Sequence, residues 1–159
     1  MTNAPAPEVL STEQLDRYHN DGFLLMEDAV PPDILRRLRE VFDLWTEESR
    51  THEGPYGETI DGRPRFDVEP GHSAGHPGLR RVASPTEVSE DYLAFMRDNI
   101  ALDATTQVFG QNLRFRESKV NSKLPGTATH LKYHQDLPFG PLTNQDLITV
   151  LFLLDDVSD

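Results

Sequence analysis

The stretch LRFRESKVNSKL, Leu113 to Leu124, alternates residue by residue and is closed by Pro125-Gly126. A period of two with a turn signal behind it predicts a long strand with two unlike faces. Downstream, Leu131 to His134 reads as a second, short strand. Asp146 to Asp156, built around LITVLFLL (Leu147–Leu154), reads as a third. It is too apolar to have a wet face, so it is expected to be buried on both sides.

Upstream the period changes. Ser11-Thr12-Glu13-Gln14 has the form of a capping box, which predicts a helix to about Asn20, closed by Gly22. Phe23 to Met26 is expected to be a short buried strand. Pro31-Pro32-Asp33 opens a second helix, on which Leu35, Leu38, Val41, Phe42 and Trp45 recur at three- and four-residue spacing. Helical pattern returns from Ser89 to Phe109, broken near Asn99 and capped by Gly110. Between these helices, ten of the thirty residues from Thr51 to Arg80 are Gly or Pro. This stretch is expected to be a long irregular loop, serving as a lid or binding loop or lying disordered. His72 and His76 have the i, i+4 spacing of a helical metal pair, but no helix is expected there, and solvated loop histidines are the preferred reading. Helices followed by a run of strands predict a mixed α and β fold: a β-core carrying an N-terminal helical flank. One domain is expected over 1–159, with the flank at 1–112 and the core beginning at 113.

The chain has 159 residues, which is room for one domain. It has no Cys, so disulfides, thiolate metal sites and thiol nucleophiles are all excluded. There is no uncharged apolar run near the roughly 18 residues of a membrane span, and no basic, apolar leader at the N-terminus, so a cytoplasmic location is expected. The net charge of −12 argues against nucleic acid and anionic membranes as partners. The charge is uneven. Residues 1–112 carry −11 and residues 133–159 carry −5, but residues 113–132 set Arg114, Arg116, Lys119, Lys123 and Lys132 against Glu117 alone. A basic island in an acidic chain suits a small anionic ligand; equally, it suits a solvated strand face balancing its acidic neighbours.

Without Cys, transition-metal chemistry must rest on His with Asp or Glu. His-x-Asp occurs twice, at His19-Asn20-Asp21 and His134-Gln135-Asp136. The first falls on a helix end, where i and i+2 point about 200° apart. The second falls at an expected strand end, where i and i+2 share a face and can chelate one ion. It would supply two of the three ligands of a 2-His-1-carboxylate site. The same spacing also suits a strand-end pair bonded to each other or to loop backbone, and spacing alone does not separate the two.

Taken together, Glu117-Ser-Lys-Val-Asn-Ser-Lys-Leu-Pro-Gly126, Tyr133-His-Gln-Asp136 and Leu147–Asp156 resemble the phytanoyl-CoA dioxygenase family, which includes ectoine hydroxylases. Leu10-Ser-Thr-Glu-Gln-Leu15, Tyr18 and Asp21-Gly-Phe23 are similar to that family's opening, as is the Pro-Pro-Asp helix. The resemblance covers most of the chain apart from 51–80. It implies a double-stranded β-helix (jelly-roll) that binds Fe(II) and 2-oxoglutarate and uses dioxygen to hydroxylate a small molecule, releasing succinate and CO2. By that resemblance His134 and Asp136 are the first two iron ligands. Related halogenases have a small residue in place of Asp136, so the carboxylate implies hydroxylation. Asn121 and Thr149 match positions that contact the 2-oxoglutarate carboxylates, and Lys119 matches a basic position near the same pocket. Substrate is expected to enter under the 51–80 loop, with Phe66 and Phe139 as lining. The family's second iron His and its carboxylate-clamping Arg lie on later strands, whereas only 23 residues follow Asp136 and none is His, Lys or Arg. The chain is therefore expected to stop in mid-barrel, with His72, His76 or His130 as conceivable substitute ligands. Two rivals stand beside the hydroxylase: a non-catalytic jelly-roll fragment or pseudoenzyme acting as a binding or interaction module and, more weakly, a zinc hydrolase, which normally needs three protein ligands and a separate base.

Overall fold

The computed structural model describes residues 8–124, 132–136, 138, 144 and 146–156. Its elements run α1 (Thr12–Asp21), α2 (Pro32–Ser49), β1 (Tyr56–Glu58), β2 (Pro64–Val68), β3 (Leu79–Ala83), a 3₁₀ turn (Pro85–Glu87), α3 (Glu90–Arg97), α4 (Ile100–Phe109) and β4 (Lys119–Asn121). The fold is thus mixed helix and antiparallel strand, with all four strands in one sheet of order β1-β2-β3-β4. The chain divides into two compact units, each assembled from segments distant in sequence. The first comprises Met1–Pro31, Met96–Phe115 and Tyr133–Asp159; the second comprises Pro32–Phe95 and Arg116–Lys132.

In the second unit the sheet is positioned by register. Phe66 pairs with Val82 and Val82 with Val120, which puts these three on one face by the period of two. Helix α2 packs on β3, and Leu38, Trp45, Phe66, Leu79, Val82, Tyr92 and Phe95 are buried. The aromatic rings form a chain: His52 stacks on Tyr56 at 3.6 Å, Tyr56 on Phe66 at 4.7 Å, Phe66 meets Trp45 edge-on at 5.8 Å, and Trp45 stacks on Tyr92 at 5.3 Å. The Tyr92 hydroxyl donates to the Leu38 carbonyl at 3.1 Å, so this ring is buried with its polar end satisfied.

The irregular loop expected over 51–80 is instead most of that sheet: it holds β1, β2 and the start of β3. Its glycines are the punctuation of short strands. Gly57 has φ +65°, and a Cβ there would meet the Phe66 ring at 3.1 Å, so β1 can lie against β2 only with glycine at this position. Gly62, at φ +79°, closes the β1–β2 turn, where the Thr59 hydroxyl donates to Asp61 and the Thr59 N–H reaches the Arg63 carbonyl.

In the first unit the capping box at Ser11 is present in both directions: Gln14 N–H donates to the Ser11 hydroxyl, and Ser11 N–H to the Gln14 side chain. Gly22 adopts the left-handed conformation that ends α1. The break near Asn99 is also found, because Asn99 caps α4 by accepting from Leu102 N–H at 2.9 Å, and Gly110 ends it. Gln107, on α4, clasps the approach to α1. Its side-chain oxygen accepts from Val9 and Leu10 N–H at 2.9 and 2.7 Å, and its amide donates to the Leu10 carbonyl at 2.8 Å.

Three expected strands differ in the structure. Phe23–Met26 forms no strand, and Phe23 and Leu25 are 70% and 72% exposed. A four-residue apolar run has no helical or strand character until a neighbour pairs with it. Of the strand expected over 113–124, only Lys119–Asn121 is laddered, against Arg81, Val82 and Ala83 of β3, with Ser118 and Ser122 bonded to Ser84 and Arg80 on either side. The apolar run Leu147–Leu154 forms neither helix nor strand, with Leu151 81% and Leu153 63% exposed rather than buried on both sides. Of the short strand expected at Leu131–His134, Leu131 lies outside the described residues and 132–134 are not in a strand. His130 and Phe139 also lie outside them.

Candidate metal centre

Asp136 is the hub of the candidate site, in the first unit. Its Oδ1 lies 3.4 Å from His134 Nε2. Its Oδ2 accepts a hydrogen bond from the Thr149 hydroxyl at 2.8 Å. Both side chains of the His-x-Asp pair are partly open to solvent, His134 at 34% and Asp136 at 43%. A separation of 3.4 Å is too long for a good N–H···O bond, which prefers 2.7–3.2 Å. It is close to the spacing of two donors bound to one ion through bonds of about 2.0–2.2 Å. A neutral imidazole nitrogen with a carboxylate oxygen is also a donor set that non-haem Fe(II) accepts. The residues present therefore fit two positions of an iron site. Among the described residues, no cluster of three or more His, Asp or Glu side chains forms.

The other expected residues fall elsewhere. Lys119 and Asn121 lie on β4 in the second unit, both exposed, on the same sheet face, with half-buried Val120 between them. Asn121 pairs with Arg81 and Lys119 with Ala83. Arg81 thus shares the Asn121 face, where it donates to Asp67 at 3.0 Å. Nothing in a sequence reading that left 51–80 irregular could have brought Arg81 there. Thr149 is exposed in the Leu147–Leu154 run, and its one hydroxyl proton is on Asp136.

His72 is not a solvated loop residue. Gly78 N–H donates to its Nδ1 at 2.9 Å, which leaves Nε2 to carry the proton toward the carbonyls of Ser49 and His52 at 3.0 and 3.1 Å. It staples the turn before β3 to the end of α2. His76 is exposed, and the Ser73–His76 bridge closes a tight turn. The two do not form a metal pair.

The ionisation shifts belong to the second unit's scaffold. Burial, helped by the charge of Glu48, pushes the Tyr56 phenol up to about 12, and burial raises that of Tyr92 further. The hydrogen bond from Thr59, with Arg63 beside it, holds the Asp61 carboxyl below its ordinary range. A second scaffold feature escaped the sequence reading. Arg65 is buried and donates to the carbonyls of Glu58, Ala83 and Ser84 at 2.9, 3.1 and 2.8 Å and to the Glu87 carboxylate at 2.5 Å. Partners 22 residues apart leave no local signal.

A neutral nitrogen and a carboxylate oxygen 3.4 Å apart are donors that a non-haem iron accepts. The chain belongs to the phytanoyl-CoA dioxygenase (PhyH) family, whose pattern matches residues 18–159. Among curated proteins it is similar to a probable alpha-ketoglutarate-dependent hypophosphite dioxygenase of Stutzerimonas stutzeri, with 35% identity over 81 residues. That match spans 51% of this chain and 28% of the relative. No solved structure matches the chain. Among the described residues, no helix is long and apolar enough to cross a membrane.

Proposed function

We propose that the chain carries part of the machinery of an Fe(II)- and 2-oxoglutarate-dependent dioxygenase that hydroxylates a small molecule, on a jelly-roll core. The observation that carries this reading is the His134–Asp136 pair, 3.4 Å apart, in a chain matched by the PhyH family over residues 18–159. His134 and Asp136 would hold the iron, the first as a neutral nitrogen donor and the second as an anionic oxygen that offsets part of the dication's charge. When bound, the iron and 2-oxoglutarate supply the chemistry that inserts one atom of dioxygen into a C–H bond, while the second goes to the co-acid, which leaves as succinate and CO2. Lys119 and Asn121 are proposed for the co-acid's carboxylates. A cation and an amide donor on one strand face are the groups that a dianion needs, and both project from β4 with the same parity. The relative's name points to hypophosphite, a small anion, so the substrate class proposed here is a small organic molecule or oxyanion.

A second reading, a non-catalytic ligand-binding module on the same core, draws its support from the two-donor character of the described site. Anaerobic native mass spectrometry with Fe(II) and 2-oxoglutarate separates the two. The dioxygenase reading expects one iron and one 2-oxoglutarate per chain, both lost in His134→Ala and Asp136→Ala. Retention of 2-oxoglutarate without iron, unchanged in both variants, would favour the module.

A further inference from the structure

Thr149 stands where family resemblance expects a contact to the co-acid, yet its hydroxyl is engaged elsewhere. We infer that Thr149 is a positioning residue for the metal-binding carboxylate: it holds Asp136 through Oδ2 so that Oδ1 stays turned toward His134 Nε2. This inference rests on the metal reading of His134 and Asp136 proposed above.

The first support is geometric. The Oγ1–Oδ2 distance is 2.8 Å, and it joins residues 13 apart in sequence, so the contact does not follow from neighbouring backbone. The two oxygens of Asp136 are thereby divided. Oδ2 is hydrogen-bonded to Thr149, and Oδ1 faces the imidazole nitrogen at 3.4 Å. A carboxylate left to rotate presents either oxygen, or both, to an ion. One whose Oδ2 is engaged by a hydroxyl has less freedom to turn, and its Oδ1 keeps its direction.

The second support is chemical. A threonine hydroxyl has one proton to donate. A carboxylate of 2-oxoglutarate is an acceptor, and so is Asp136, so the one proton serves either acceptor but not both. The structure gives it to Asp136. The bond is charge-assisted, which makes it stronger than one between neutral partners. It also lowers the electron density on the carboxylate, so Thr149 tunes the donor as well as orienting it.

The experiment measures metal affinity in the absence of 2-oxoglutarate, where a contact to the co-acid has nothing to act on. Co(II) is titrated anaerobically by calorimetry into the purified protein and into Thr149→Val, Thr149→Ser, Asp136→Ala and His134→Ala. The affinity for 2-oxoglutarate is then measured at saturating Co(II). Valine keeps the shape of threonine and removes the hydroxyl, and the position is exposed, so far-UV circular dichroism and the melting midpoint should be unchanged.

The expected result is a Co(II) dissociation constant raised about 10- to 100-fold in Thr149→Val. It should return to within about twofold of the parent in Thr149→Ser, with 2-oxoglutarate affinity preserved once metal is saturating. An unchanged Co(II) constant with weakened 2-oxoglutarate binding would overturn the inference and make Thr149 a co-acid contact. The metal reading would then still stand, provided that Asp136→Ala and His134→Ala lose Co(II). A serine variant that fails to restore the affinity would show that the hydroxyl alone does not hold the carboxylate in place, and it too would overturn the inference. Co(II) binding that is absent, or indifferent to Asp136→Ala and His134→Ala, would overturn the metal reading and Thr149's role together.

Discussion

In the second unit, Leu38, Leu79 and Val82 are buried to 1% exposure or less, beneath a helix and within a laddered sheet. In the described part of 132–156, Leu151 and Leu153 stand mostly in solvent, and the backbone forms no strand. Yet this second region holds the His134–Asp136–Thr149 cluster, whereas the buried Arg65 of the sheet is engaged by backbone carbonyls and Glu87. Hydrophobic burial and the proposed metal site therefore lie in different stretches of the chain, and a substitution should report on one or the other. The largest effect should come from the sheet's buried cation. Arg65→Ala removes the guanidinium that pairs with Glu87 and its bonds to the carbonyls of Glu58, Ala83 and Ser84. Breaking a buried pair in this way typically costs about 3–5 kcal/mol, read by urea unfolding. A loss under about 1 kcal/mol would mean that water replaces the guanidinium and that the sheet is less closed than its geometry implies.

How much of this was legible follows from the range of each signal. The caps at Ser11, Gly22, Asn99 and Gly110 were readable because a cap is written within four residues. The sheet was not, because a strand is defined by its partner. The glycines and prolines of 51–80 read as a long irregular loop, although Gly57 and Gly62 are what allow β1 to turn back on β2. The opposite error befell Leu147–Leu154, whose composition reads as a buried strand while Leu151 and Leu153 stand exposed. At the candidate site, the His-x-Asp spacing was visible because it is local. The hydroxyl that engages Asp136 from 13 residues away was assigned a role by resemblance rather than by contact.

Leu38→Ala sharpens the comparison from the hydrophobic side. Leu38 is 1% exposed, on the face of α2 that lies over the core. Deleting its isobutyl group should cost about 2–5 kcal/mol, the range for buried leucines. Co(II) affinity, measured on the folded protein, should not change.

The aromatic chain adds a pH dependence confined to the same unit. Tyr56 is raised to about 12 and Tyr92 further, both chiefly by burial. A phenol raised in the folded state contributes stability that is fully present below its unfolded value, about 10. That stability is lost as pH climbs through the folded value. Thermal midpoints should therefore be level to about pH 10 and fall between 10 and 12, with the fall shallower in Tyr56→Phe. A midpoint independent of pH across that window would mean that both rings ionise in place and are not buried as drawn.

The same deletion made in the other region gives the smallest effect and the sharpest contrast. Leu151→Ala removes the same atoms as Leu38→Ala, but from a side chain that is 81% exposed. There is almost no burial to lose and no cavity to leave, so the change should lie within about 0.5 kcal/mol, the range of ordinary surface substitutions. Solubility should improve slightly, because an exposed apolar run invites pairing with other chains. The informative failure is a cost near that of Leu38→Ala. A leucine that behaves as buried would mean that the Leu147–Leu154 stretch is laddered in solution, which is what its composition first suggested. Thr149 and the Asp136 carboxylate that it holds would then lie on a rigid strand rather than an open segment, and the contrast between the two regions would disappear.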